Sequence, residues 1–259
     1  MLTQRQRKQL EQLNSRHGRK KSDCFLAEGL RCCREAVTRQ PAWIELVLCS
    51  QDFCQSQDGQ EFLALLPARG LPWQLLPAAE FQSLAETGHP QGVLCLLRRP
   101  PPPAPALPRP FCLLLDQVRE PGNLGTILRT AWAVGLPAVW LVSGGVDPYS
   151  AKVVRAGMGA QFALQLPVFA DLTAAVAEFR RLGGDGVWCT LPAAGCSLFE
   201  EEFQLHNCAL VIGNEGEGIS RPELGRPVTI PMPGQAESLN AAQAATVFLF
   251  EAVRRGMFK

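Results

Sequence analysis

The sequence predicts an α/β protein in two parts, and three observations carry that reading. Past residue 111, short apolar runs alternate with segments of helical periodicity, the pattern of a mostly parallel sheet covered on both faces. Before residue 100 a shorter alternation of the same kind predicts a small α/β domain. Between them stands RRPPPPAPALPRP (Arg98–Pro110), where repeated proline removes backbone N–H donors and fixes φ. That stretch can be neither helix nor paired strand and reads as a stiff linker. The expected divisions are therefore 1–99, a linker over 100–110, and 111–259.

In the first part, Gln4–Leu13 and Phe25–Thr38 are predicted helices, the second from Phe25, Leu26, Leu30, Cys33 and Val37 near helical spacing. Ile44–Cys49 is a short apolar strand, Gln60–Leu66 a helix, and Leu71–Leu76 and Val93–Leu97 two further strands. In the second part, strands are expected at Phe111–Leu115, Ala138–Val142, Gly186–Thr190, Ala209–Ile212 and Val228–Pro231. Helices are expected at Leu124–Val134, Ala151–Ala156, Leu172–Leu182 and Leu239–Arg255. Open sheets of this kind bind ligands beyond the carboxyl ends of their strands, so chemistry is sought in the loops there.

Composition narrows the class. Hydrophobic residues make up 47% and charged residues 19%, an ordinary globular balance. The net charge is only +1, yet the first 40 residues hold 10 basic side chains against 4 acidic ones. This is a footprint for a polyanion such as RNA, or equally a solvated basic helix at a chain end. No apolar run approaches the roughly 18 residues needed to cross a bilayer, and the opening MLTQRQRKQLEQLNSRHGRKK has no apolar signal core. The ten cysteines accordingly read as reduced thiols of a cytoplasmic protein. Their spacing matches no zinc pattern and the three histidines (His17, His89, His206) lie in separate regions, so no metal is expected.

Three loops could carry chemistry. The first runs from Asp116 through Pro121 and Gly122 to Asn123, which can cap the following helix, with Gly125 and Arg129 four residues apart on one face. An arginine there can hold phosphate in a bidentate fork, although a capped helix with one solvent arginine is the simpler reading. The second is Gly213-Asn-Glu-Gly-Glu-Gly-Ile219, which fits neither the dinucleotide nor the Walker spacing. Glu215 and Glu217 argue against a phosphate and suit a cofactor carrying a sulfonium. The third is Ile230-Pro-Met-Pro-Gly-Gln-Ala-Glu-Ser-Leu-Asn240, where Ser238 can cap an alanine-rich helix and Asn240 can bond a ligand or a neighbouring loop. Taken singly, each loop is more simply explained as an ordinary turn or a capped helix start.

Taken together, in this order and spacing, the three stretches resemble the motifs of the SpoU/TrmH family of RNA ribose 2′-O-methyltransferases. Asn123, Gly125 and Arg129 stand at its first motif, Gly213-Asn-Glu-Gly-x-Gly-Ile at its second, and Ile230-Pro-Met-x-Gly with Ser238-Leu-Asn240 at its third. Arg19-Lys-Lys-x-x-x-Phe-Leu-Ala-Glu-Gly29 resembles the opening of the small L30e-like substrate-binding domain of rRNA-modifying members. One departure is Ala241-Ala-Gln243, where many members have a valine-rich helix start.

The resemblance implies an α/β domain whose C-terminal segment forms a deep trefoil knot, a homodimer, and S-adenosylmethionine as cofactor. By carry-over, Thr190, Gly213, Asn214, Gly216, Ile230 and Leu239 would hold the cofactor. Arg129 would bind the target phosphate and assist deprotonation of the 2′-hydroxyl, with Asn123, Glu215, Ser238 and Asn240 orienting Arg129, the ribose and the cofactor. Arg16, Arg19, Lys20 and Lys21 are the candidate RNA contacts in the basic arm, and rRNA is preferred to tRNA as substrate. Two readings compete: a nicotinamide oxidoreductase, which lacks its glycine motif here, and a catalytically silent RNA-binding protein of ribosome assembly.

Overall fold

Two sheets form from buried apolar runs, and each has its own helices. The computed structural model describes residues 2–13, 18 and 22–258, and its contacts divide the chain into two units. One joins Met1–Pro101 with Pro148–Phe162, the other Pro102–Asp147 with Ala163–Lys259. No helix among the described residues is long and apolar enough to cross a membrane.

The first unit runs α1 (Gln4–Leu13), β1 (Cys24–Glu28), α2 (Leu30–Arg39), β2 (Ile44–Ser50), α3 (Gln51–Gln55), α4 (Gln57–Leu63), β3 (Trp73–Leu76), α5 (Ala78–Leu84) and β4 (Val93–Arg98). The sheet order is β1-β4-β2-β3, with β2 and β3 parallel and the other pairs antiparallel. Side chains alternate between two covered faces. Phe25, Val47, Cys95 and Leu97 pack with Cys33, Ala36 and Val37 of α2, whereas Leu26, Leu46, Leu48 and Leu96 pack with Leu10 and Leu13 of α1 and Phe81 of α5. The described part of the basic arm is therefore docked. Arg16, Arg19, Lys20 and Lys21 lie outside the described residues.

The expected helix over Phe25–Thr38 is corrected here. Cys24–Glu28 is a strand buried on both faces, and Gly29, at φ 96°, turns the chain before the helix begins at Leu30. A fully buried strand loses its alternation, and its apolar run then imitates a helical stripe. The helix read at Gln60–Leu66 begins three residues earlier, as α4, and the short α3 before it was not expected; their N-caps Ser50 and Ser56 accept from the N–H groups of Phe53 and Gly59.

Pro148–Phe162, placed by the sequence reading within 111–259, packs with the first unit. Val154 and Phe162 are buried in the same cluster as Phe25, Phe162 stacks near Phe25 at 6.3 Å between ring centroids, and Gln40 Nε2 donates to the Phe162 carbonyl at 3.1 Å.

The second unit runs β5 (Cys112–Leu115), α6 (Pro121–Ala133), β6 (Val139–Val142), β7 (Val168–Phe169), α8 (Leu172–Arg181), β8 (Val187–Thr190), β9 (Cys196–Ser197), β10 (Ala209–Ile212), β11 (Arg226–Thr229) and α9 (Ala241–Arg254); the intervening α7 (Ala151–Gly157) belongs to the first unit. The strand order is β7-β6-β5-β10-β8-β11-β9, and every ladder is parallel among the described residues. Two late strands thus insert between earlier ones, β10 between β5 and β8 and β11 between β8 and β9. Helix α8 covers one face through Leu172, Ala175, Val176 and Phe179, and α6 packs against α9.

Candidate active site

Parallel register brings four loops to one edge of the large sheet. Leu115 sits beside Ile212, Cys189 beside Val211, and Val228 beside Thr190, so the segments that follow β5, β8, β10 and β11 emerge together.

The first loop enters α6 differently from its sequence expectation. Glu120, not Asn123, is the N-cap, with Pro121 at the first helical position, where its missing N–H costs nothing. Asn123 lies one turn inside the helix, buried, with its amide free to act across the loops. Its Nδ2 donates to Glu215 Oε1 at 2.6 Å, and its Oδ1 accepts from Asn240 Nδ2 at 2.9 Å. Glu215 also accepts from the N–H groups of Arg119 (3.2 Å) and Glu120 (3.3 Å). Partial burial pushes the Glu215 carboxyl up, but the Asn123 amide and these backbone donors outweigh it and hold the group below the usual carboxylate range.

A chain of hydrogen bonds, Asn240 to Asn123 to Glu215, therefore ties the three loops into one unit. Asn240, not Ser238, caps α9: its Oδ1 accepts from Ala242 N at 2.9 Å and Gln243 N at 3.3 Å. The second loop is held from within by Asn214, whose Oδ1 accepts from Gly216 N and Glu217 N. Gly213 has no room for a side chain, since a Cβ there would lie 2.4 Å from the Gly218 carbonyl carbon. Beneath the loops, the fully buried Asp116 accepts from Ser220 N at 2.6 Å.

These loops enclose a cavity of about 260 Å³. Its wall contains Thr190, Gly213, Asn214, Gly216, Ile230 and Leu239, the six positions singled out for the cofactor, together with Glu215 and Ser238. Pro192, Met232, Ala244 and Phe248 also line it and were not singled out from the sequence; Phe248 sits on the buried stripe of α9, indistinguishable there from core. The Thr190 hydroxyl is spent on the Val211 carbonyl at 2.9 Å, so that residue faces a ligand chiefly through its main chain. No lysine or arginine among the described residues lines the cavity, and Glu215 is its one charged group. Such a lining suits a ligand with apolar and heterocyclic parts and a positive centre, and it disfavours one carrying phosphates.

Arg129 stands apart from this cluster. It is exposed on α6, six residues past Asn123 and so about 9 Å further along the axis, with no hydrogen bond or ion pair among the described residues. The model of the SpoU rRNA methylase family matches residues 110–250, and that of the MRM3-like substrate binding domain matches residues 5–95. An uncharacterized tRNA/rRNA methyltransferase of Synechocystis is 34% identical, covering 96% of this chain and 90% of its own. The 23S rRNA (guanosine(2553)-2′-O)-methyltransferase RlmP of Bacillus subtilis is 30% identical over 94% of each chain. Among solved structures, the SpoU methyltransferase AviRb from Streptomyces viridochromogenes, in complex with its cofactor AdoMet, aligns with a TM-score of 0.82 at 28% identity, covering 98% of this chain and 99% of that one. With its parallel sheet, its three tied loops and its phosphate-averse cavity, the chain belongs to the SpoU rRNA methylase family, the S-adenosylmethionine-dependent RNA 2′-O-methyltransferases of the α/β-knot fold.

Proposed function

We propose that the enzyme methylates one ribose 2′-hydroxyl of large-subunit rRNA, with the cavity after β8, β10 and β11 as its cofactor seat. The observation that carries this reading is the Asn240–Asn123–Glu215 chain, which joins the three family motifs around that cavity. S-adenosylmethionine fits the lining, because it carries a sulfonium and no phosphate, and when bound it supplies an already activated methyl group. Main-chain groups at Thr190, Gly213, Asn214, Gly216, Ile230 and Leu239 hold it.

Arg129 binds the phosphate beside the target nucleotide and assists removal of the 2′-hydroxyl proton. The proton passes by way of that phosphate, which the guanidinium fork holds in place. Asn123 and Asn240 fix the loop geometry, Glu215 stays ionised beside the positive centre, and Ser238, exposed at the rim, orients the ribose. Positioning supplies much of the rate, since the electrophile needs no further activation.

The substrate preference for rRNA over tRNA is supported by the substrate-binding domain matched over residues 5–95 and by the relative RlmP. Arg16, Arg19, Lys20 and Lys21 contribute RNA contacts from the arm. A homodimer is supported by Phe250 and Val253, 54% and 41% exposed and three residues apart on α9. The ten unpaired cysteines support a reducing cytoplasmic setting. The test is methyl transfer from labelled S-adenosylmethionine to total rRNA and tRNA from cells lacking the enzyme, with the modified nucleotide mapped. Label at a 2′-O-methyl in large-subunit rRNA is expected; label in tRNA alone overturns the substrate, and base methylation overturns the reaction.

A further inference from the structure

We propose that a groove on the first unit, built around Arg31, Arg34 and Arg155, holds a backbone phosphate of the substrate RNA. The proposal rests on the rRNA reading above and says where this unit grips the strand. The groove is a cavity of about 530 Å³ contained within the unit, inside the range of about 300–1,000 Å³ usual for ligand sites and ample for one nucleotide.

Its cations come from segments far apart in sequence. Arg31 and Arg34 project from the first turns of α2, and Arg155 comes from α7, which the fold of the first unit recruits from beyond the linker. Two of the three meet a carboxylate only at the outer limit of an ion pair, and the third meets none among the described residues. Arg31 is exposed and has no ion pair or hydrogen bond among the described residues. Arg34 approaches Glu61 only to 3.9 Å with its side chain 44% exposed. Arg155 Nη1 stands 3.8 Å from Glu86 Oε2, an ion pair too long to be a hydrogen bond, and is buried without an acceptor. That nitrogen keeps an unused N–H donor, which a phosphate oxygen in the groove would take up.

The neighbouring groups favour the same ligand. Gly29 provides no side-chain cap for α2, so the positive end of that helix opens on the groove. His89 is exposed in the lining, and Gln91 is held in place by accepting from Leu30 N at 2.9 Å. The one lining carboxylate, Glu28, is 6% exposed and turned to the protein, where it accepts from Glu86 N at 3.0 Å and from the Thr87 hydroxyl. A phosphodiester with an adjoining nucleoside satisfies this arrangement of three arginines over a partly apolar floor.

The experiment measures binding of the full chain to total large-subunit rRNA from cells lacking the enzyme, across about 50–200 mM salt. The variants are the Arg31→Ala/Arg34→Ala pair, Arg155→Ala and Arg155→Lys, with Arg69→Ala as a charge-matched control elsewhere on the unit. Each groove alanine variant is expected to weaken binding by about tenfold and to lower the salt slope by about 1 for each phosphate no longer neutralised. Arg155→Lys recovers the slope but only part of the affinity, because it keeps the charge and loses the fork. S-adenosylmethionine affinity stays at the wild-type level throughout. Unchanged RNA affinity in the groove variants, or an equal loss in Arg69→Ala, overturns the groove while leaving the methylation reading intact. A wild-type protein that neither binds nor methylates rRNA overturns both.

Discussion

The hollow of the second unit is walled by main chain, apolar and neutral polar side chains and one carboxylate, whereas that of the first unit is ringed by three arginines about one inward-turned carboxylate. A net charge of +1 conceals this contrast. The difference follows the charges of two ligands: a cofactor with a positive sulphur needs no cations around it, and a polyanion needs several. It also follows backbone supply. The large parallel sheet delivers loop after loop to one edge, enough to build a cavity almost without charged side chains. The small mixed sheet offers fewer loops, and its groove relies on long side chains from helices.

The largest expected effect in the second unit is at Arg129. Because it is exposed and unpartnered among the described residues, Arg129→Ala should leave stability within about 0.5 kcal/mol yet slow methyl transfer by about 10²–10⁴-fold. A wild-type rate in single turnover removes it from the mechanism. Gly213→Ala comes next and separates the two hollows directly. The added Cβ meets Gly218 backbone at 2.4 Å, so cofactor affinity measured by calorimetry should fall about 10–100-fold, with rRNA affinity unchanged. Equal loss of both ligands would mean that the hollows do not divide the labour in this way.

Smaller and purely structural is Glu251 on α9, 5% exposed and bonded to both Arg254 and Arg255. The Arg254 hydrogen bond first, then that of Arg255, overcomes its burial and brings its pKa down to about 2. The unfolded value is about 4.3, so its contribution is complete above about pH 4.3 and disappears as pH falls from there towards about 2. Glu251→Gln should cost about 1–3 kcal/mol at neutral pH. In unfolding titrations, its gap from wild type should close across that acid window; a gap constant with pH refutes the assignment. The smallest effect expected is the coupling between Asn123 and Glu215. A double-mutant cycle to alanine should return about 1 kcal/mol, and zero coupling would mean that the 2.6 Å bond does not hold the loops together.

Much of the second unit was legible because its central strands, such as Ala209–Ile212, are buried on both faces and read as unbroken apolar runs between glycine-rich loops. The same property hid β1: Phe-Leu-Ala-Glu is equally buried, and without polar alternation it passes for the start of a helix. Caps were misplaced by a few residues at both functional helices, since Asn123 and Ser238 are as good cap formers as Glu120 and Asn240 are in place. Which polar side chain finishes a helix is decided by what lies across from it, and Asn240 faces Asn123. The arginine groove was invisible for another reason. Arg155 belongs by sequence to the second part, and no local pattern announces that residues 148–162 will pack with Phe25.

That recruitment has a consequence for the order in which the protein comes into being. A chain emerging from the ribosome can pair β1 with β4 once residue 98 is out. It must still wait for Val154 and Phe162 before the hydrophobic cluster around Phe25 is filled. During that interval, at about 5–20 residues per second, the nascent first unit carries an incomplete core for several seconds. An excised 1–101 fragment would lack Val154 and Phe162 for good, and with them part of the apolar cover of Phe25.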